Sequence, residues 1–225
     1  MIDLHGLPQV VTAIGGLGTA AFGLVDASKA MWGGVNHIGF GGIKKTVTEL
    51  TPGKTTNGLS REKVLATLQA NWFNGTDMPD QKAIAKSLIK LNLNADNAAA
   101  LANATGVDPG ILKEVATNIA AGASLTSAQS DVYARFDLIV TALLDEAYQR
   151  SDDMYRNWTR LIAMLVAVAL AVAGAFMLRD SWALTAAEIG QAVLVGLLAT
   201  PLAPIAKDLS SALATAVNTL QIVKK

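Results

Sequence analysis

Residues 161–178 read Leu-Ile-Ala-Met-Leu-Val-Ala-Val-Ala-Leu-Ala-Val-Ala-Gly-Ala-Phe-Met-Leu, a run without a charge or a strong polar group. Arg156, Trp158 and Arg160 stand on one side of it, and Arg179, Asp180 and Trp182 on the other. Wound as a helix at about 1.5 Å per residue it is roughly 27 Å long, close to the ~30 Å hydrocarbon core of a bilayer. The run therefore predicts a membrane-spanning helix.

Two weaker runs join the first. Leu7 to Val25 is apolar and glycine-rich and ends at Asp26 and Lys29. Ile189 to Ile205 is apolar apart from Gln191 and Thr200, and Pro201 and Pro204 interrupt it near its end. Three spans place all but Arg179 of the eighteen Lys and Arg residues on one side of the membrane. By the positive-inside rule that side is the cytoplasm, with the N-terminus outside and the C-terminus inside. Trp32 and Trp158 then mark the inner interface and Trp182 the outer one. Met1 to Leu7 carries no basic residue, which argues against a signal peptide.

The predicted fold class is all-α: three transmembrane helices and a small cytoplasmic helical domain, with one long helix continuing from the domain into the second span. The expected order is an outer segment 1–6, a first span 7–32, a Gly-rich turn and linker 33–59, the domain 60–157, and a second span 158–178. An outer loop 179–184, a third span 185–205 and an amphipathic C-terminal helix 206–225 follow. Glycine at the density of residues 33–42 opposes a helix, since each costs about 1 kcal/mol against alanine. A turn at the membrane surface is predicted there, with Lys44 and Lys45 near anionic headgroups.

Within the domain, Ser60 is a cap for a helix carrying Val64, Leu65, Leu68 and Trp72, stopped at Asn74-Gly75. Asp80 is read as the cap of the next helix, with Ile84, Leu88 and Leu91 on its face. An Ala-rich helix from about Ala95 ends at Gly106. Asp108-Pro109 opens another, bearing Ile111, Leu112, Val115 and Ile119 and closed by Gly122. From about Ser127 no breaker occurs before the membrane. Val132, Phe136, Ile139, Val140, Leu143, Leu144 and Ala147 recur at helical spacing, which predicts a helix of about fifty residues and roughly 75 Å. Beyond the third span, Leu209, Leu213, Ala216, Val217 and Leu220 form a stripe opposite Ser and Thr, suited to a protein partner or headgroups.

Composition narrows the chemistry. Residues 46–153 carry nine basic and thirteen acidic side chains, so nucleic acid, which needs a basic face, is not an expected partner. There is no cysteine, which excludes disulfides and thiolate sites, and the two histidines, His5 and His37, are predicted on opposite sides of the membrane. Pro52-Gly53-Lys54-Thr55 imitates the end of a phosphate-binding loop, but Thr48 stands where the first glycine belongs and no strand precedes it. Asn92, Asn94 and Asp96 imitate a calcium loop, but Asn97 replaces its glycine and Asn103 its closing glutamate, so a polar turn capping the next helix is expected. No cofactor, no metal and no catalytic residue is predicted, and the chain is not read as an enzyme.

What the spans do carry is small residues four apart: Gly15, Thr19, Gly23 and Ala27; Ala163, Ala167, Ala171 and Ala175; Ala192, Gly196 and Thr200. In lipid, close backbone approach along small faces is a main source of helix attraction. Gly15, Gly16, Thr19 and Gly23 are expected on the packing face of the first span, with Ala13 and Ala21 off it. One subunit uses two such faces and leaves a third for another copy, which predicts a homo-oligomer. Asp26 and Lys29 are read as an interfacial ion pair or a polar pore lining, and Glu188 as a cap at the start of the third helix.

The stretch Arg135-Phe136-Asp137 through Leu144-Asp145-Glu146-Ala147-Tyr148 to Tyr155-Arg156-Asn157 resembles the membrane-entry segment of a group of bacterial integral membrane proteins. The Gly-rich start ending at Lys44-Lys45 and the Pro201-Leu202-Ala203-Pro204 turn before Lys207-Asp208 are similar to the same group. The resemblance implies a bacterial inner membrane and no particular chemistry. A self-assembling structural membrane protein is the expected role, with a pore or transport component or a non-catalytic adaptor subunit as alternatives.

Overall fold

The structure is a computed structural model that describes residues 7–52, 60–178 and 184–223, with side chains placed for all of these except 7, 8, 209, 210 and 213–223. The described residues are helical, without a strand: α1 (Leu7–Trp32), α2 (Asn36–Glu49), α3 (Arg61–Phe73), α4 (Met78–Leu91), α5 (Ala98–Thr105), α6 (Pro109–Ala120), α7 (Ser127–Met177) and α8 (Ala186–Val223). Three of them, α1, α7 and α8, contain stretches long and apolar enough to cross a membrane. The chain divides into two compact units, Asn36–Tyr155 and Met1–Val35 with Arg156–Lys225.

The first unit is a helical domain around a core of Phe40, Ile43 and Val47 from α2, Val64 and Leu68 from α3, Ile89 from α4, Leu101 from α5, Leu112 from α6, and Phe136, Val140, Leu144 and Tyr148 from α7. The start signals at α3 and α6 are those predicted. Ser60 Oγ accepts from the Lys63 amide at 3.3 Å, and Asp108 Oδ1 accepts from the Ile111 amide at 2.8 Å. At α4 the cap position is Asp77 and not Asp80, because Pro79 occupies the first turn, where its missing N–H is harmless. Of the face expected for α4, Ile84 and Leu88 pack against the core, but Gln81, Ala85 and Ile89 are its most buried residues and Leu91 is 74% exposed. The start of α7 is a reciprocal box, with the Gln129 amide donating to Thr126 Oγ1 at 3.3 Å and the Thr126 amide to Gln129 Oε1 at 3.1 Å.

The largest departure from the sequence reading is α2, a helix of 14 residues within the stretch read as turn and linker. Gly33 and Gly34 do make the turn, with φ of 77° and 45°. Gly39 and Gly42 serve a different purpose: they let α2 approach α7 closely. A Cβ on Gly39 would stand 2.8 Å from Trp72 Cζ2 and 2.9 Å from Tyr155 Cβ, and one on Gly42 2.6 Å from Ser151 Oγ. The same hydroxyl accepts from the Ile43 amide at 3.2 Å, and Trp72 Nε1 donates to the Asn36 carbonyl at 3.1 Å. Tertiary packing here outweighs a local helix cost of about 1 kcal/mol per glycine. The domain accordingly begins at Asn36, ahead of the expected 60.

Ion pairs join α4 to α7. Lys82 Nζ meets Asp145 at 2.6 Å, and Asp137 receives Lys86 at 2.6 Å and Lys90 at 2.9 Å. Burial pushes the Asp137 carboxyl up, but its two ammonium donors outweigh it and hold the pKa below the ordinary 3.8. The Lys90 ammonium is held above its ordinary 10.5, chiefly by the bond to Asp137. A carboxyl depressed on folding stabilises above its unfolded pKa, and the effect is lost as pH falls through the folded value. The raised lysine contributes below 10.5 and loses its contribution as pH rises through the folded value. Asp137→Asn should lower the unfolding free energy near neutral pH by about 1 kcal/mol. That difference should close in acid below the ordinary aspartate pKa, as followed by urea melts of the full chain in detergent.

The second unit contains α1, the C-terminal part of α7, and α8. α8 runs unbroken through Pro201 and Pro204, so the expected turn and separate C-terminal helix are absent. Proline deletes one ladder bond, a loss that neighbouring helices and local adjustments accommodate in apolar surroundings. The glycines of α2 give a direct test of the packing argument. Gly39→Val should destabilise the full chain by about 1–3 kcal/mol through overpacking. Gly41→Ala should stabilise it by up to about 1 kcal/mol by helix propensity, because nothing lies within 4 Å of a Cβ there. Thermal melts with opposite signs for the two variants are the expected outcome.

Candidate assembly site

Small residues draw the three helices of the second unit together. A Cβ on Gly15 would lie 2.1 Å from Ala206 Cβ and 2.9 Å from the Leu202 oxygen, and one on Gly18 2.1 Å from the Ala199 oxygen. Both glycines therefore bring the α1 backbone onto the α8 backbone. Gly196 does the same for α8 on α7, where a Cβ would lie 2.4 Å from Val168 Cα. Ala21, Ala167 and Ala199, one from each helix, are fully buried together beneath Ile14, Leu17 and Val166. Ala163 is fully buried and Ala192 is 8% exposed.

These contacts revise the predicted face of α1. The packed positions are Gly15, Gly18, Ala21 and Val25, all buried. Ala21, expected off the packing stripe, is fully buried within it. Thr19 is exposed and turns its hydroxyl back to the Gly15 carbonyl at 3.1 Å. Gly16 and Gly23 have nothing within 4 Å of a built Cβ. Each four-residue step advances about 40° around a helix of 3.6 residues per turn, so the line 15, 19, 23, 27 winds away from a straight neighbour. Steps of three and four together stay on one face.

The face of α1 opposite α8 has its own order. Ala13, Gly16, Ala20, Gly23, Ala27 and Ala30 are all small, all exposed, and spaced 3, 4, 3, 4, 3, with Ala13 at the edge of this face, where it also borders a cavity shared with α7 and α8. That is the a/d pattern of a heptad seam. Four-residue spacing alone does not reveal it, because it joins Gly15 to Gly23 across two faces.

In the other two ridges, Ala171 and Ala175 are part-buried and line a cavity of about 480 Å³ with Gly174, Leu170 and Val195. Asp26 and Lys29 pair with each other at 2.6 Å in the last two turns of α1. Glu188 is a cap: its Oε2 accepts from the Thr185 amide at 2.8 Å and the Thr185 hydroxyl at 2.7 Å. In the domain, the asparagines of the calcium-loop imitation bond to one another. Asn94 Oδ1 accepts from the Asp96 and Asn97 amides at 2.9 and 3.1 Å, a polar turn leading into α5. His37 is exposed and meets the Phe73 ring edge-on at 4.7 Å. A second cavity, of about 280 Å³, lies between α2 and α3, where Lys44 and Glu62 are among its lining residues. Gly53, Lys54, Thr55, His5, Arg179, Trp182 and the side chains of Leu209, Leu213, Ala216, Val217 and Leu220 fall outside the described residues.

The in-chain face and the open face separate in a simple experiment. Gly18→Leu and Ala21→Leu should each lower the thermal stability of the detergent-solubilised chain, at about 1–3 kcal/mol per site. Gly16→Leu should not lower the stability of the single chain, since nothing lies within 4 Å of a Cβ there.

No family model, no curated protein and no solved structure matches this chain.

Proposed function

We propose that the chain is a non-enzymatic structural protein of a bacterial inner membrane that assembles with copies of itself along the open face of α1. The observation that carries this reading is the run of six exposed Ala and Gly positions at heptad spacing on a helix apolar enough to span a bilayer. Two such seams let helix axes come closer than the usual 8–10 Å, and copies inserted in one orientation meet in parallel. The glycines α1 needs for its own chain, Gly15 and Gly18, lie on the other side, so both contacts are available at once. The domain lies in the cytoplasm on this reading, with the N-terminus outside and the C-terminus inside, as the one-sided distribution of Lys and Arg supports.

Two measurements test it. In gentle detergent the chain should have the mass of a discrete multimer. Gly16→Leu with Gly23→Leu should reduce that mass to the monomer at unchanged helix content, since every equivalent contact is damaged at once. A wild-type monomer, or a double variant that stays assembled, sinks the proposal. For orientation, the chain has no native cysteine, so Ile2→Cys and Lys225→Cys should label from opposite faces of the membrane. Labelling of both from one face contradicts the three-span topology.

A further inference from the structure

We propose that the cavity between α1, α7 and α8 holds one acyl chain of a bilayer glycerolipid, a site that rests on the membrane reading above. The cavity is about 480 Å³ in volume, and apart from Glu188 and Gln191 its lining is apolar. That size falls within the range of small-ligand sites, roughly 300–1,000 Å³. Its lining extends from Leu170 to Leu178, at and just past the end of α7, and from Glu188 to Val195 along α8, which is about 11–12 Å at 1.5 Å per residue. One leaflet of hydrocarbon is about 15 Å deep, half of a ~30 Å core. The two polar residues sit in the first two turns of α8, at the expected interface end, so polarity falls with depth as it does along a lipid.

The cavity exists because small residues here are not met by a partner. Gly15, Gly18 and Gly196 bring backbones into contact, whereas nothing lies within 4 Å of a Cβ built on Gly174. Walls without partner atoms forfeit their dispersion contacts, and an acyl chain is the apolar material at hand in a bilayer. Charge selects the kind of lipid. The lining has one carboxylate, already held by Thr185, and no Lys or Arg among the described residues. Glu188 sets a negative charge beside the place where a free fatty acid would put its own carboxylate, whereas a glycerolipid keeps its head in the interface.

The test uses the full chain reconstituted in vesicles of phosphatidylethanolamine and phosphatidylglycerol, then purified in mild detergent and extracted for bound lipid. The wild type should retain glycerolipid stoichiometrically through washing. Gly174→Leu, which fills the groove, should lose it, and Gly174→Ala should retain an intermediate amount. The alanine variant keeps the test valid if leucine impairs folding, since the open space admits a methyl group. Equal retention by all three chains overturns the proposal, as does free fatty acid in the extract. So does a fall in oligomer mass with no change in lipid, which would place a copy of the chain in the groove. A wild type that resists alkaline extraction from the vesicles but retains no lipid overturns the site and leaves the membrane reading standing. A wild type that never enters the vesicles overturns both.

Discussion

The contact on which the rest of this structure depends is the approach of one helix backbone to another at positions that lack a Cβ. Burial of apolar area cannot hold transmembrane helices together when the surroundings are as apolar as the side chains, so shape and dispersion must do so. Gly15 and Gly18 on the α8 backbone and Gly196 on the α7 backbone supply that contact in the second unit. The domain uses the same device: Gly39 and Gly42 bring α2 against Trp72, Ser151 and Tyr155. Around these glycines Phe40, Ile43 and Val47 add apolar burial on the inner face of α2.

One helix, α7, contributes to both units. Its 51 residues carry a core stripe of Phe136, Val140, Leu144 and Tyr148 and further on a small-residue stripe of Ala163 and Ala167. The change from large to small side chains follows the change in driving force expected at the membrane interface. Large residues gain from leaving water, whereas small ones gain from letting backbones meet. Tyr148, whose phenol is pushed up by burial, reaches the Gln81 carbonyl at 3.4 Å and ties α7 to α4.

Much of this architecture was legible in the residues. The span 161–178, the caps Ser60 and Asp108 and the unbroken pattern from Ser127 each rest on local chemistry, and each has its counterpart in the structure. What local chemistry could not show was set by distant partners. α2 looked like a turn because its glycines cost helix propensity, and their compensation comes from Trp72 and Ser151, far away in sequence. Pro201 and Pro204 looked like a break, yet α8 continues through them with the α1 glycines packed on nearby carbonyls. The small residues of α1 were visible, but their division into two faces was not. A four-residue rule placed Gly23 with Gly15 and left Ala21 out, whereas the actual faces mix steps of three and four. Leu91 was assigned inward by apolarity alone, and Ala85 and Ile89 took that face.

α1 turns one face to its own chain, and the proposed assembly uses the other. Because the chain has no cysteine, single cysteines can be placed at each position from 13 to 30 and oxidised in native membranes before detergent is added. Disulfide-linked dimers should peak at 13, 16, 20, 23, 27 and 30 and be absent at 15, 18, 21 and 25. Peaks at the second set, or cross-linking without period along the helix, would contradict it.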